Sequence, residues 1–207
     1  MCSLIAALSL SKRPGGAWRP GNPRHGTPDK AYEVHMLYGI RDATLIHMFD
    51  RGRRTRFDLA GHAVIHTAPN VRRVEPSPEH PAGYAPLCIG TTTSDRMERF
   101  TRPLMEREGV RLIVGKGGLR DGSSQAFADR GGAYLAIVGG TAALETTWIE
   151  RIEEVDLDDL NPESLWRFAI RDFGPLLVAM DSHGGSLYRT VQADSAARRA
   201  QALASLG

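Results

Sequence analysis

From Tyr32 onward the chain alternates between short apolar runs and segments whose apolar residues recur at helical spacing. The runs are Ala63–His66, Pro86–Ile89, Arg111–Val114, Ala133–Val138 and Leu176–Met180, closed by glycine or by a polar turn. Runs of this length and composition predict buried strands. After Gly90, residues Met97, Phe100, Leu104 and Met105 fall on one helical face, and Glu98, Arg99, Glu106 and Arg107 on the other. Pro103 lies inside that segment and predicts a kink or a second start. Ser123–Asp129 and Thr141–Thr147 predict two further helices, the latter opened by a threonine suited to capping. Strand–helix alternation at this spacing implies βαβ units and a mainly parallel sheet, so the class is α/β. Phe168–Tyr188 differs, because two apolar stretches flank Gly174-Pro175 before DSHGG closes a turn. That pattern predicts antiparallel pairing at one edge. The acidic run Glu153, Glu154, Asp156, Asp158 and Asp159 reads as a solvated loop.

Three stretches follow from this texture. Residues 1–31 contain a basic Pro/Gly-rich segment without apolar period and read as a poorly ordered arm. Residues 32–190 form the folded domain. Residues 191–207, ending in SAARRAQALASLG, read as a short exposed helix or tail.

Composition sharpens the picture. The 207 residues are 42% hydrophobic and 24% charged, which suits a globular chain with a real core. The formal net charge is +2, and arginine far outnumbers lysine among the 26 basic residues. Arginine suits planar, two-pronged recognition of carboxylate or phosphate. No lysine-rich tail, aromatic–basic alternation or zinc spacing accompanies it, which argues against nucleic acid and for a small anionic ligand. Two cysteines, Cys2 and Cys88, cannot build a disulfide framework or hold an iron–sulfur cluster alone, and they fit a reducing cytoplasm. Leu4–Leu10 is too short to span a bilayer and lacks the flanks of a secretory signal.

Three constellations carry candidate chemistry. Ile89-Gly90-Thr91-Thr92-Thr93-Ser94-Asp95-Arg96 joins a strand to a helix. Helix N-termini attract anions, glycine admits a ligand to the backbone, and an arginine in the first turn works against the helix dipole unless something anionic meets it. Simple capping by Thr93 or Ser94 with a solvated Arg96 is the alternative. Val114-Gly115-Lys116-Gly117-Gly118 is a second strand-end loop holding a single positive charge, and its spacing is not that of a nucleotide P-loop. Gly39-Ile40-Arg41-Asp42 is either an ordinary surface pair or a carboxylate clamp oriented by Asp42. Ligands of α/β sheets gather outside the carboxyl ends of the strands, so such loops converge. His62 and His66 share a sheet face but stand too far apart for one metal; His66 is a candidate pocket-lining residue. Asp181, His183 and Gly184 read as turn chemistry, and Trp148 and Trp166 as core or interface residues.

GTTTSDRM, VGKGG, PESLWRF and FGPLLVAMDSHG, together with DLAGHAVIHTAPN and IERIEEVD, give the chain its resemblance. Over about Tyr38 to Tyr188 it resembles the iron–sulfur hydro-lyase family, that is, the beta subunits of L(+)-tartrate dehydratases and the C-terminal domains of class I fumarases. The resemblance implies a three-layer β/β/α swivelling domain with a mainly parallel central sheet. It also implies reversible hydration or dehydration of a small hydroxy dicarboxylate, fumarate/malate or tartrate. The [4Fe–4S] cluster would sit on a partner alpha subunit in a hetero-oligomer, with no metal ligand on this chain. Carried over by position, Thr92 becomes the proposed base, with Arg96 and Lys116 beside it. Arg41, Arg96 and Lys116 become substrate contacts by the same carry-over, and the loop's own glycine and hydroxyls add Gly90, Thr91 and Thr93 as expected contacts. Two positions depart from the family pattern: Thr91 replaces a proline and Leu45 a histidine, with His47 nearby but out of register. Before Tyr38 the expected N-terminal strand region has no recognisable counterpart. A non-catalytic anion-binding or assembly subunit is the alternative reading.

Overall fold

The structure is a computed structural model that describes Ala7–Leu10 and residues 36–205; the rest of the expected arm lies outside the described residues. Ten strands are present among them: β1 (Ala7–Leu10), β2 (Met36–Ile40), β3 (Ala63–His66), β4 (Asn70–Arg73), β5 (Tyr84–Cys88), β6 (Leu112–Gly115), β7 (Ala133–Ala136), β8 (Ile149–Asp156), β9 (Leu165–Ile170) and β10 (Phe173–Met180). Eight build one sheet in the order β1-β10-β7-β6-β3-β2-β9-β8, and β4 pairs with β5 in a separate ribbon. The central four, β7-β6-β3-β2, are mutually parallel. Antiparallel strands flank them on both sides.

The central strands read as continuous apolar runs because both faces are covered. Alternate residues divide between two cores. Tyr38, Ile40, Val64, Ile113 and Tyr134 face a layer holding Leu45, Met97, Phe100, Leu104 and Phe127. That layer contains α1 (Asp42–Leu45), which runs into a π-helical turn (Ile46–Asp50), then a 3₁₀ segment (Ser94–Phe100), α2 (Thr101–Arg107) and α3 (Asp121–Arg130). Pro103 sits in the first turn of α2, where its missing N–H costs nothing, so it marks a second start. Leu37, Ala63, Ile65, Val114 and Leu135 face the other way, onto Ile149, Ile152, Trp166, Phe168, Phe173 and Leu176. The second core lies between the central strands and the antiparallel arms, which gives the β/β/α layering.

Five expectations change here. The stretches around Gly174-Pro175 do not pair with each other: Gly174-Pro175 lies inside β10, while β9 and β10 stand on opposite sides of the parallel strands. Only Arg171 and Asp172 separate them, a reach of about 11 Å, so the sheet curls until its arms meet over one face. The run Pro86–Ile89 is not a central strand, since β5 belongs to the ribbon and Leu87 is half exposed. The acidic run is a strand and a 3₁₀ turn rather than a loop. Its carboxylates are engaged: Glu153 with Arg151 at 2.6 Å, Glu154 with Arg167 at 3.2 Å, and Asp159 with Arg53 at 2.7 Å. Thr141 stands at the start of α4 (Ala142–Thr147), but its hydroxyl donates to Val138 O and Glu145 instead of capping the helix. The final helix, α5 (Leu187–Ala204), begins before residue 191 and is capped by Ser186, which accepts the Arg189 N–H. No described helix is long and apolar enough to cross a membrane.

Trp166 is fully buried, its indole N–H donating to Pro162 O at 3.1 Å, and its ring meets Tyr84 edge-on. Trp166→Ala is expected to cost about 3–5 kcal/mol in urea unfolding of the full chain. A loss below about 1 kcal/mol would mean that the arms are not packed as described.

Candidate functional site

Parallel strands end with backbone groups that need partners. At the carboxyl ends of β3 and β6 those partners come from the segment after β5. Thr92 N–H donates to His66 O at 2.7 Å and Ser94 N–H to Lys116 O at 2.9 Å, with Thr93 bridged to Lys116 and Thr91 to Thr67. Thr91–Ser94 is thus wedged between two strand ends, and this brings Thr92 within one residue of the ladder position opposite Lys116. Gly90 is close-packed for a reason other than ligand access: a Cβ there would stand 2.4 Å from Ala142 Cβ, so α4 fills that space. At Gly115 a Cβ would stand 2.0 Å from Ser94 Oγ, so only glycine lets the segment seat on β6.

The arginines are held by carboxylates of the chain itself. Arg96 donates through Nε and Nη2 to the two Asp42 oxygens at 3.3 and 3.1 Å, and through Nη2 to Thr92 Oγ1 at 3.0 Å. Asp42 is the anion that an arginine in a first turn calls for. Arg41 contacts Asp42 at 3.3 Å and Glu163 at 3.4 Å, in both cases through Nε. Among the described residues its Nη groups have no protein acceptor, so they are free to receive a carboxylate. Glu163 also accepts the Ala43 N–H at 2.7 Å, at the start of α1. Burial raises the Asp42 pKa, but the hydrogen bond and charge of Arg96 and the hydrogen bond of Arg41 outweigh that, leaving it below the usual carboxylate range. Lys116 is half-buried and has no carboxylate within ion-pair distance among the described residues. It is the only lysine after Lys30 in a chain that otherwise uses arginine.

Beneath the wedge lies a buried polar cluster. Ser94 Oγ sits 2.9 Å from His66 Nδ1 and accepts from Tyr134 O–H at 2.9 Å, so neither Ser94 nor Thr93 caps the helix by its side chain. Burial pushes the His66 pKa down to about 4, against the opposing pull of Asp42, so the ring is neutral and lines the floor. Glu145 on α4 is also buried. Its carboxyl is raised by burial and held down in part by the Thr141 hydroxyl, the Thr91 N–H and the Lys116 charge.

The site therefore joins Arg41, Thr92, Arg96 and Lys116, with Thr91 and Thr93 in the wedge and Gly90 at its root. Glu163, Glu145 and Tyr134, and the link from Asp42 to Arg96, were not singled out from sequence, although Asp42 beside Arg41 and His66 as a pocket-lining residue were. Their signal is tertiary, because Glu163 lies 122 positions from Arg41 in the chain and becomes its neighbour only through pairing of β2 with β9. Leu45 is fully buried in the helical core, so its side chain does not take up a polar position beside Arg41. His47 instead lies 2.9 Å from Arg51 and 3.3 Å from Arg53. Asp181 accepts from His183 N–H and Gly185 N–H, which is turn chemistry. Among the described residues no group of three or more His, Cys, Asp or Glu side chains would hold a metal. Two cysteines in the whole chain are fewer than the roughly four thiolates of a [4Fe–4S] cluster, so this donor set does not fit one.

Residues 36–191 match the family described as the fumarase C-terminus. The chain is 36% identical over 168 residues to a protein of Methanocaldococcus jannaschii named "Putative L(+)-tartrate dehydratase subunit beta", covering 79% of this chain and 83% of that one. It is 35% identical over 160 residues to L(+)-tartrate dehydratase subunit beta of Escherichia coli strain K12, covering 77% of each. It is also 33% identical over 167 residues to a Geobacillus stearothermophilus protein named "Putative fumarate hydratase class I", covering 80% of this chain and 31% of that longer one.

His66 gives the site a pH signature. Its folded pKa lies below the unfolded value of 6.5, so its contribution is intact above pH 6.5 and is lost as pH falls towards about 4. The loss should be on the order of 2–3 kcal/mol. Asp42 acts in the same direction at lower pH, and Glu145, with its raised pKa, in the opposite one. His66→Gln should flatten the fall in stability between pH 6.5 and 4 in urea titrations; an unchanged slope would show that His66 is not buried as a neutral ring.

Proposed function

The chain belongs to the fumarase C-terminus family, and from that premise we propose that it is the beta-type subunit of a hydro-lyase acting on a small hydroxy dicarboxylate. Fumarate/malate and tartrate are the substrates of that class suggested by its relatives' names. The observation that carries this reading is the meeting of Arg41, Thr92, Arg96 and Lys116 at the strand ends, with Arg96 bonded directly to the Thr92 hydroxyl.

A diacid offers two carboxylates, and the site offers separate cations to grip them: the free Nη groups of Arg41 on one side, Arg96 and Lys116 on the other. Thr93, exposed beside them, adds a further contact, whereas Gly90, packed against α4, and Thr91, buried, support the wedge from behind instead of meeting the ligand. In the dehydration direction the C–H proton α to a carboxylate passes to the deprotonated Thr92 Oγ1, and the electron pair left behind builds charge on that carboxylate. Guanidinium and ammonium groups fixed in advance stabilise that charge. The pair then forms the C=C bond as the C–O bond on the adjacent carbon breaks and the hydroxyl leaves, ending as water, a departure that a Lewis-acidic cluster on a partner would assist. A threonine hydroxyl is a weak base in water; the Arg96 hydrogen bond and the Lys116 charge favour its deprotonated form. Hydration reverses the transfer.

The family's iron–sulfur chemistry does not fit this chain's own donors, so we assign the [4Fe–4S] cluster to a partner alpha subunit in a cytoplasmic hetero-oligomer. The names "subunit beta" and the longer single-chain relative, of which this chain spans under a third, support a second part completing the site.

The purified chain is expected to be inactive alone and to give turnover of tartrate, malate or fumarate when reconstituted anaerobically with a cluster-bearing partner. Turnover by the chain alone would overturn the two-subunit reading. In the complex, Thr92→Ala should lower kcat by about 10²–10⁴ with little change in KM or folding. An unchanged kcat would remove Thr92 from the reaction.

A further inference from the structure

Glu145 is an acidic side chain only 1% exposed, on a helix of six residues beside the wedge. A carboxylate that deep in a fold persists only where its oxygens are satisfied. Oε2 accepts the Thr91 N–H at 2.8 Å and Oε1 accepts the Thr141 hydroxyl at 2.8 Å. Two further contacts tie α4 to the same stretch: Ile89 N–H donates to Thr146 Oγ1 at 2.7 Å, and Gly90 packs against Ala142. Thr91 is itself buried, and its hydroxyl makes no hydrogen bond among the described residues. Its backbone N–H is therefore the group that fastens it to α4. The next residue is Thr92, whose own N–H is fixed to β3. Lys116 approaches from the other side, its Cδ 3.5 Å from where a Cβ of Gly139 would stand in the loop leading to α4, and its charge acts on Glu145.

We propose that Glu145 is a positioning residue of this site, holding Thr91 by its N–H so that the Thr92 hydroxyl stays level with Arg96. The proposal rests on the hydro-lyase reading for its catalytic consequence but not for the tie itself. Glu145 touches no reacting atom. Its effect passes through the backbone of residues 91–93, so it should alter kcat more than KM, since a base displaced by a fraction of an ångström still leaves the carboxylate grips in place.

The test uses the full chain, alone and in the reconstituted complex. Glu145→Ala should lower kcat at least tenfold with KM within about threefold of wild type, and should speed hydrogen exchange of the Thr91 amide at least tenfold in the chain alone. Glu145→Gln can accept the Thr91 N–H with its carbonyl and donate to Thr141 with its amide, so it should restore both readings to within about threefold. Glu145→Asp keeps the charge but falls one methylene short, so it should behave like the alanine variant. Should the alanine variant fail to fold, the aspartate and glutamine variants decide. Wild-type kcat in Glu145→Asp, or a Thr91 amide as protected in Glu145→Asp and Glu145→Ala as in the wild type, would overturn the proposal. A wild-type complex without turnover would defeat the hydro-lyase reading alone, because the exchange measurement decides the tie independently.

Discussion

Two backbone hydrogen bonds, Thr92 N–H to His66 O and Ser94 N–H to Lys116 O, hold everything else about this site in place. They splice a short segment between two parallel strand ends whose carbonyls would otherwise need other partners. Because the segment is fixed on both sides, Arg96 two residues further on enters its helix beside Asp42, and Lys116 is presented at the same edge. The seat under the segment has no slack. Gly115 leaves room for Ser94 Oγ, and that oxygen is shared by a neutral histidine and a tyrosine. A buried polar cluster of this kind favours a single arrangement, since any displacement leaves a desolvated donor or acceptor unmatched.

The charges follow a second constraint. Three cations near one another would repel and wander unless anions fixed them. Asp42 and Glu163 do so for the arginines by binding Nε edges and leaving other N–H groups of Arg41 for a ligand. Lys116 is treated differently. Among the described residues it has no ion-pair partner, and the carboxylate whose field it feels is buried. A guanidinium suits a planar clamp, whereas an ammonium is a compact charge that can stand next to a hydroxyl. A chain so committed to arginine keeps lysine at the one position where that difference counts.

The curled sheet explains why these groups are open on one side. The antiparallel arms meet over the face opposite the helices and seal the second core, so the strand ends are left as an edge. A wedge held at an edge gives a surface on which a second protein can close. The Geobacillus stearothermophilus relative is a longer chain, of which the matching region is 31%.

Much of this was legible in the residues. Continuous apolar runs specify β3, β6 and β7 because strands buried on both faces have no polar side to show, and Gly and Lys at their ends mark loops that cannot be ordinary turns. Pro103 marked its own helix start. The motifs GTTTSDR and GKGG were enough to mark an anion-binding edge, and the family resemblance singled out Thr92, Arg96 and Lys116 within it. What the residues could not reveal depends on which distant segments become neighbours. Gly174-Pro175 reads locally as a turn, yet it lies near the start of β10, whose later residues pair with β7. The acidic run reads as solvated, yet arginines from remote strands and loops neutralise it. Gly90 reads as an opening for a ligand, and α4 occupies it. By itself the sequence determined the central strands β3, β6 and β7, the main helical segments and the chemical character of the site, since these depend on local periodicity and residue type. Only the tertiary structure decided that Asp42 and Glu163 orient the arginines and that Glu145 reaches beneath Thr91, because those contacts join residues more than 50 positions apart.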